Sequence, residues 1–240
     1  MWLALGMSLA AAGGNVLGGV FVVHREWPRR VLSFFLALGA GFMLATSLVE
    51  IIPEAIRLAG NAALFAVLAG YFLVHFFEHT VAHHFHFGEE THAHEMQARH
   101  ASVSALAGLS IHTFFDGVAI ASGFLVSNWL GTVIFLAVFL HKLPEGFTVS
   151  SLLLAGGGTR KTALWGSVIL GGATVMGVLL MGVVKASVSY ALPISGGVTL
   201  YVAATDLIPE VNRERSPGGM ALIFLGVALF FAIRKLFGIQ

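Results

Sequence analysis

The sequence predicts an all-α membrane protein, a polytopic bundle of eight transmembrane helices that forms a single domain over residues 1–240. Composition is the first reason, because 57% of the residues are hydrophobic and only 10% are charged, whereas soluble domains carry roughly 25% charged residues. The second reason is that eight apolar stretches are each long enough to cross a bilayer. The third is an internal repeat that relates the two ends of the chain.

The eight predicted helices follow one another with short connections and are numbered in chain order. Their apolar stretches lie at about 2–23, 31–58, 62–82, 101–126, 130–155, 162–183, 187–211 and 217–237. A longer connection follows helix 3, at residues 81–100 (VAHHFHFGEETHAHEMQARH). The chain has no cysteine and a net charge of +1, which excludes disulfides and thiolate metal ligands and offers no basic surface to nucleic acid.

The internal repeat is a sequence similarity between helix 2 and helix 7. Gly41–Glu54 (GFMLATSLVEIIPE) aligns without gaps on Gly197–Glu210 (GVTLYVAATDLIPE). Ahead of these segments, Gly13–Val20 (GGNVLGGV) matches Gly171–Val178 (GGATVMGV) at nearly the same offset. We therefore expect helices 1–3 to recur as helices 6–8 in the opposite orientation, around helices 4 and 5. Such inverted repeats around a midplane site are found in many secondary transporters.

The basic residues predict that both termini lie outside the cell. In that orientation, eight basic residues flank the cytoplasmic ends of the helices and four flank the outer ends, which agrees with the positive-inside rule. The inner set is Arg25, Arg29, Arg30, Arg99, Arg160, Lys161, Arg213 and Arg215, and the outer set is Arg57, Lys185, Arg234 and Lys235. The same orientation makes residues 81–100 a cytoplasmic loop.

Four ionisable residues in the middle of helices 4 and 5 predict a metal site. His112 precedes Asp116 by four residues, and His141 precedes Glu145 by four, so each pair lies on one face of its helix. Two imidazoles and two carboxylates suit Zn²⁺ or a similar divalent cation. An ionisable side chain at this depth costs roughly 2.5–3.5 kcal/mol by insertion scales. The alternative is that each histidine is a buried residue bonded to its own helix neighbour.

Helices 4 and 5 are expected to run antiparallel. This arrangement places Asp116 near the depth of His141, and His112 near that of Glu145. Pro144 removes one helical hydrogen bond from helix 5. The carbonyl that loses its donor needs another partner inside a membrane, and a hydrated ion path supplies one.

In these residues the chain resembles the prokaryotic members of the ZIP (Zrt-, Irt-like protein) family of divalent metal transporters. The resemblance rests on the eight spans, the N-out topology and the histidine-rich loop after helix 3. It also rests on the motifs H-x-x-x-D-G at His112–Gly117 and H-x-L-P-E-G at His141–Gly146. It implies that the four residues above are the transport-site ligands. It further suggests the thioether of Met43 as a ligand from helix 2, although Met43 serves equally well as core filler.

The resemblance also implies a mode of action. The chain is then a transporter rather than an enzyme, resident in the prokaryotic inner membrane and in contact with lipid, and it needs no cofactor. Its cargo is Zn²⁺, with Fe²⁺, Mn²⁺ and Cd²⁺ as further candidates, imported into the cytoplasm. Helices 1, 4, 5 and 6 slide like an elevator against helices 2, 3, 7 and 8, commonly within a homodimer.

Three departures from the family pattern concern a second metal. Thr113 follows the helix-4 histidine where many members have asparagine, and Lys142 stands where members with two metals often have an acidic residue. Those members also carry a bridging carboxylate on helix 6, yet no acidic residue occurs between Glu145 and Asp206. We therefore expect the ammonium of Lys142 to occupy the place of a second metal, unless Lys142 points away from the path.

Further polar residues fall outside helices 4 and 5. Candidate way-stations at the two ends of the path are Glu50, Glu54, Asp206 and Glu210, which could also be interfacial residues hydrated at the membrane surface. The end of helix 3 and the loop after it hold the expected weak metal ligands His75, Glu78, His79, His83, His84, His86, His92 and His94. An ordinary solvated loop is the alternative.

Two rival functions remain at the level of sequence. His75–His79 (HFFEH) reads H-x-x-E-H, the inverted zinc-protease motif, which would make the chain an intramembrane zinc metalloprotease. This alternative leaves the four residues of helices 4 and 5 unexplained. A proton-coupled carrier of organic solutes would need an anchor for its solute, and no arginine lies in the middle of a span.

Overall fold

A computed structural model of the chain describes residues 1–24, 29–80, 99–184, 187–213 and 217–237. In these ranges eight helices are long and apolar enough to cross a membrane, which confirms the predicted fold class. Six are continuous: α1 (Trp2–His24), α3 (Ala62–Thr80), α4 (Arg99–Val126), α5 (Asn128–Ala155), α6 (Arg160–Val183) and α8 (Pro217–Leu236). The other two, α2 and α7, are each built from three segments.

A short π-helical segment interrupts both α2 and α7, which the sequence did not predict. In α2, Arg29–Thr46 and Ile52–Ala59 flank the π segment Ser47–Ile51; in α7, Val188–Tyr201 and Ile208–Arg213 flank the π segment Val202–Leu207. At the end of each π segment, a backbone amide donates a hydrogen bond to the carbonyl five positions earlier: Ile52 to Ser47 in α2, and Ile208 to Ala203 in α7. The residue after each of these donors is a proline, Pro53 or Pro209.

The two π segments occupy matching places in the repeat alignment. When Gly41–Glu54 is aligned on Gly197–Glu210, residues 47–51 correspond to 203–207. Each π segment also carries an acidic residue at the same aligned position, Glu50 in α2 and Asp206 in α7. The matching positions agree with the sequence repeat, while the opposite orientation of its two copies stays a prediction. Such π segments are rare and are frequently placed at functional sites.

Local capping explains the tight connections on either side of α5. The Ser127 hydroxyl accepts a hydrogen bond from the Leu130 amide at 3.1 Å, so α5 begins one residue after α4 ends. The Thr159 hydroxyl caps α6 in the same way through the Thr162 amide at 3.2 Å. Between α5 and α6, Gly157 has a φ of 82°, a left-handed conformation that glycine adopts without strain. These caps hold α4, α5 and α6 as a compact antiparallel series.

The helices pack as two groups. We call α1, α4, α5 and α6 the site group, because α1 and α6 both pack on α5, and α4 packs on α5 and α6. We call α2, α3, α7 and α8 the outer group, because α8 packs on α2 and α3 packs on α7. The two groups meet mainly where α2 crosses α5 and where α4 crosses α7.

Glycines bring the helix backbones together within each group. In four helix pairs, a methyl group added to either of two glycines would collide with a carbonyl oxygen or neighbouring backbone of the facing helix. The pairs are Gly18 and Gly146 for α1–α5, Gly117 and Gly177 for α4–α6, Gly41 and Gly226 for α2–α8, and Gly70 and Gly197 for α3–α7. Such close approach lets small residues lock helices together in a membrane.

Candidate metal site

The site lies halfway along α4 and α5, inside the site group. His112 and Asp116 come from α4, and His141 and Glu145 come from α5. All four side chains are buried, with at most 3% of each residue exposed. One ligand atom from each of the four lies within 4.8 Å of the others. The structure therefore brings together the four residues that the sequence singled out.

The distances follow the antiparallel pairing of α4 and α5. His141 Nε2 lies 3.3 Å from Asp116 Oδ2, and His112 Nε2 lies 3.5 Å from Glu145 Oε1. Within α4, His112 Nε2 is also 3.6 Å from Asp116 Oδ2. Both imidazoles thus turn their Nε2 atoms toward the two carboxylates.

The two imidazoles differ in their hydrogen bonding. His141 Nδ1 lies 3.0 Å from the carbonyl oxygen of Ala137, a contact that holds the ring with Nε2 facing the site. His112 Nε2 is buried and makes no hydrogen bond to any residue that the structure describes. A buried imidazole nitrogen without a partner is costly, and a cation held between Asp116 and Glu145 would satisfy it. The donor set therefore fits a divalent metal ion.

Lys142 is the fifth ionisable group of the site and is completely buried. Its Nζ lies 2.7 Å from Asp116 Oδ2 and 2.5 Å from Glu145 Oε2, so the ammonium bridges α4 and α5. It also donates to the Thr113 hydroxyl at 3.3 Å, and that hydroxyl in turn donates to Glu145 Oε1. Lys142 thus points into the site rather than away from it.

Asn15 of α1 also borders the site, although its sequence context did not mark it as a site residue. The residue is fully buried. With its amide nitrogen turned toward α5, it donates to the carbonyl oxygen of Lys142 at 2.6 Å and to Glu145 Oε2 at 3.2 Å. The signal that could have found it is a lone asparagine in an apolar helix, placed between Gly14 and Gly18 at the close contact with α5.

Met43 lies in the outer group, at its contact with α5. Its side chain is fully buried in an apolar cluster that also contains Ala40 and Ala137. One helical turn before it, a methyl group on Gly39 would lie 3.6 Å from the Cβ of His141. Met43 therefore faces the α5 side of the outer group, next to the level of the site.

Near the C-terminal end of α2, both candidate way-station carboxylates have arginine partners. Glu50 Oε1 lies 3.3 Å from Arg234 Nε, and Glu54 holds Arg57 through contacts of 2.5 and 2.7 Å. The two carboxylates border a cavity of about 260 Å³ that reaches Trp129 at the start of α5. Ion pairs with arginine therefore hold both carboxylates at this end of α2.

At the other end, α3 and α7 bring several of the expected groups together. Tyr201 donates its hydroxyl to Glu78 Oε2 at 2.7 Å, and the nearly buried Asp206 faces the same carboxylate. The rings of His75 and His79 lie 4.1 Å apart, centre to centre. Glu210 lies one turn beyond Asp206 in the last segment of α7. The expected loop ligands His83, His84, His86, His92 and His94 lie outside the described residues.

Comparison with known proteins points to one family. The sequence profile described as ZIP zinc transporter matches residues 1–106 and 88–234 of the chain. Zinc transporter ZIP4 of Homo sapiens is 33% identical over 121 residues, which cover 49% of this chain and 19% of that protein. Zinc transporter ZIP13 homolog of Drosophila melanogaster is 29% identical over 139 residues, which cover 53% and 39%.

A bacterial relative matches over almost its full length. Zinc transporter ZupT of Enterobacter sp. (strain 638) is 29% identical over 263 aligned residues, which cover 95% of this chain and 97% of that protein. The chain thus spans less than half the length of the two animal relatives, but nearly all of the bacterial one.

Proposed function

Because the chain belongs to the ZIP zinc transporter family, we propose that it carries divalent metal ions across a membrane, with Zn²⁺ as the main cargo. The observation that carries this proposal is the buried set of two imidazoles and two carboxylates in the middle of the bundle. Nitrogen and oxygen ligands of this kind suit Zn²⁺, and they also accept Fe²⁺, Mn²⁺ and Cd²⁺. The availability of each metal then decides much of the selectivity.

In this proposal His112, Asp116, His141 and Glu145 are the four ligands of the transported ion. Zn²⁺ takes four ligands in tetrahedral sites, so these side chains could replace most of the water around the ion. The Met43 thioether would join as a softer ligand from α2, at the contact with the site group. Asn15 and Thr113 would hold the Glu145 carboxylate in position rather than bind the ion.

The proposed direction is import into the cytoplasm, with both chain termini outside. The ion would pass Glu50 and Glu54 at the outer ends of the helices, then the site. It would leave along the inner acidic groups Glu78, Asp206 and Glu210, and reach the histidine-rich loop at 81–100. The excess of basic residues at the inner helix ends supports this orientation.

Alternating access would come from movement of the site group against the outer group, in an elevator-like slide. The packing supports this division, because the reciprocal glycine contacts join helices within a group. Where α2 meets α5, a methyl group on Gly39 would lie at an ordinary 3.4 Å from Leu140 Cβ. We further propose a single membrane domain over residues 1–240 that works as a homodimer.

Lys142 would take the place that a second metal holds in two-metal members of the family. Its ammonium already bridges Asp116 and Glu145. The site would therefore hold one ion per protomer. The positive charge beside the ion would also weaken binding and speed its release.

A metalloprotease built on His75, Glu78 and His79 is the weaker hypothesis. Members of the ZIP family are transporters rather than enzymes, and Glu78, the required general base, accepts a hydrogen bond from Tyr201. The family assignment accounts for the α4–α5 site, which the protease hypothesis does not use.

The deciding experiment measures radiolabelled Zn²⁺ uptake by the purified protein in proteoliposomes. Each ligand is one of four, so His112→Ala and Glu145→Ala should each reduce uptake at submicromolar zinc to the level of empty vesicles. His24→Ala is the matched control, since His24 is exposed on α1 and bonds only to the Val20 carbonyl among the contacts described. Wild-type uptake by either ligand variant, with normal folding, would contradict the assignment.

A further inference from the structure

Lys142 is the residue that decides whether the empty proposed site carries one or two net negative charges. Asp116 and Glu145 contribute two negative charges and the Lys142 ammonium contributes one positive charge, so the empty site carries one net negative charge. The imidazoles are counted as neutral in both forms, which is the state in which they bind a metal. A divalent ion changes the net charge of the site to one positive. Loaded and empty forms therefore carry charges of equal size and opposite sign.

Without the ammonium, the net charges of the loaded and empty forms would differ in size. The loaded site would be neutral, and the empty site would carry two negative charges among groups that are at most 3% exposed. The cost of burying net charge in a medium of low polarity rises with the square of that charge. The empty site would thus be about four times as costly to move as it is with Lys142 present.

We infer that Lys142 is a built-in counter-cation that allows the empty carrier to return across the membrane. The inference rests on the proposed function and extends it, because it states how a transport cycle is completed without cargo. Two contacts carry it: Nζ lies 2.7 Å from Asp116 Oδ2 and 2.5 Å from Glu145 Oε2, one carboxylate on each site helix. The ammonium travels with the carboxylates because Lys142 and Glu145 share α5, and α5 packs closely on α4.

The inference separates two modes of transport. Net uptake requires the empty carrier to return, whereas exchange of external for internal zinc uses only the loaded form. A carrier that contains Lys142 is then a uniporter, able to fill a zinc-free compartment. A carrier that lacks the positive charge becomes mainly an exchanger.

The test compares the two modes in proteoliposomes, with potassium and valinomycin holding the membrane potential at zero. One set of vesicles contains an impermeant chelator and reports net uptake of radiolabelled Zn²⁺. The other set is preloaded with unlabelled Zn²⁺ and reports exchange. For Lys142→Met, the ratio of net uptake to exchange should fall about tenfold or more, which corresponds to about 1.4 kcal/mol added to the return step.

Two further variants keep the experiment decisive. Lys142→Arg retains the charge and should keep the ratio near that of the wild type. The double variant T113K/K142T moves the ammonium to α4, since Thr113 Oγ1 lies 3.3 Å from Lys142 Nζ, and should restore the ratio relative to Lys142→Met. If Lys142→Met does not elute as a folded protein in detergent, Lys142→Gln takes its place with the same expected ratio.

The outcomes distinguish this inference from the proposed function. An unchanged ratio in the uncharged variant, or equal loss of both modes, would overturn the role of Lys142. Absence of zinc movement by the wild-type protein in either mode would instead overturn the proposed function. His112→Ala should lose both modes together, which reports on the ligands and not on the counter-cation.

Discussion

Lys142 shows how much a single buried residue depends on its partners. A charged side chain at mid-membrane depth costs roughly 2.5–3.5 kcal/mol by insertion scales, and the Lys142 side chain has no exposed surface. Two carboxylates and the Thr113 hydroxyl surround its ammonium. Removing one partner of such a buried set is strongly destabilising, because the remaining charge loses its compensation.

The number of ions held by the site should change with residue 142. Lys142→Asp replaces the ammonium by a third carboxylate, so we expect tighter zinc binding, a rise from one to two ions per protomer, and slower turnover. Metal analysis of the purified protein after equilibration with Zn²⁺ measures the stoichiometry. Lys142→Asn is the matched control and should remain at one ion. Two ions in the unmodified protein would show that Lys142 does not occupy a metal position.

Asn15→Ala tests the residue that only the structure revealed. The substitution removes donors to the Lys142 carbonyl and to Glu145, and a buried hydrogen bond of this kind contributes about 1–3 kcal/mol when its loss leaves an acceptor unpaired. We expect zinc affinity to fall about tenfold while the protein remains folded. Ser8→Ala on the same helix is the control, since the Ser8 hydroxyl bonds only to the Leu5 carbonyl among the contacts described. Equal affinities for the two variants would exclude a role for Asn15 in positioning Glu145.

At the scale of the helices, α1 and α5 meet through their backbones. Gly18 and Gly146 allow the contact, and a methyl group on Gly146 would collide with the carbonyl oxygen of Asn15. Gly146 directly follows Glu145, and Glu145 directly follows Pro144. The packing of α1 is therefore coupled to the position of a proposed ligand.

Gly146→Ala should consequently affect stability and transport together. Overpacking of this kind typically costs about 1–3 kcal/mol, so we expect a lower thermal unfolding temperature in detergent and a reduced rate of zinc uptake. Gly13→Ala provides a matched comparison on α1, since an added methyl group there meets nothing within 4 Å. The expectation fails if both alanine variants unfold at the same temperature.

For the whole molecule, the main property is the division into two helix groups. Each group holds its helices by close backbone contacts, and the groups meet where α2 crosses α5 and where α4 crosses α7. The proposed ligands all belong to the site group, while Met43 and the candidate way-stations Glu50 and Asp206 belong to the outer group. A slide between the groups would move the ion relative to these fixed residues.

A disulfide between the groups should stop that movement. In Gly39→Cys with Leu140→Cys, the two Cβ atoms would lie about 3.4 Å apart, close to the spacing that a disulfide requires. The natural chain has no cysteine, so the engineered pair would be the only thiols. We expect oxidation to abolish zinc uptake and a reductant to restore it.

The control for this experiment joins two helices of one group. Ala12→Cys with Gly171→Cys links α1 to α6, where an added methyl group on Gly171 would lie 3.1 Å from Ala12 Cβ. Its oxidation should leave uptake unchanged. If the oxidised protein with cysteines at positions 39 and 140 still took up zinc, the site group would not slide past α2 during transport.

The sequence by itself determined the number, type and approximate limits of the helices. The predicted spans agree with the eight structural helices to within a few residues at most ends, because the thickness of a bilayer imposes a length on every apolar stretch. It also identified His112, Asp116, His141 and Glu145, since ionisable residues at helical spacing stand out in an apolar chain. Their role as ligands remains a proposal.

Only the tertiary structure decided which side chains meet. The bridging position of Lys142, the contact of Asn15 with Glu145, and the pairing of Glu50 with Arg234 each join residues of different helices. Helical periodicity shows which residues share a face of one helix, but not which neighbour that face will meet. The π segments of α2 and α7 escaped prediction for a related reason: they add one residue to a turn without changing its hydropathy. Contacts between faces depend on how all eight helices pack at once, and hydropathy along one helix carries no record of that packing.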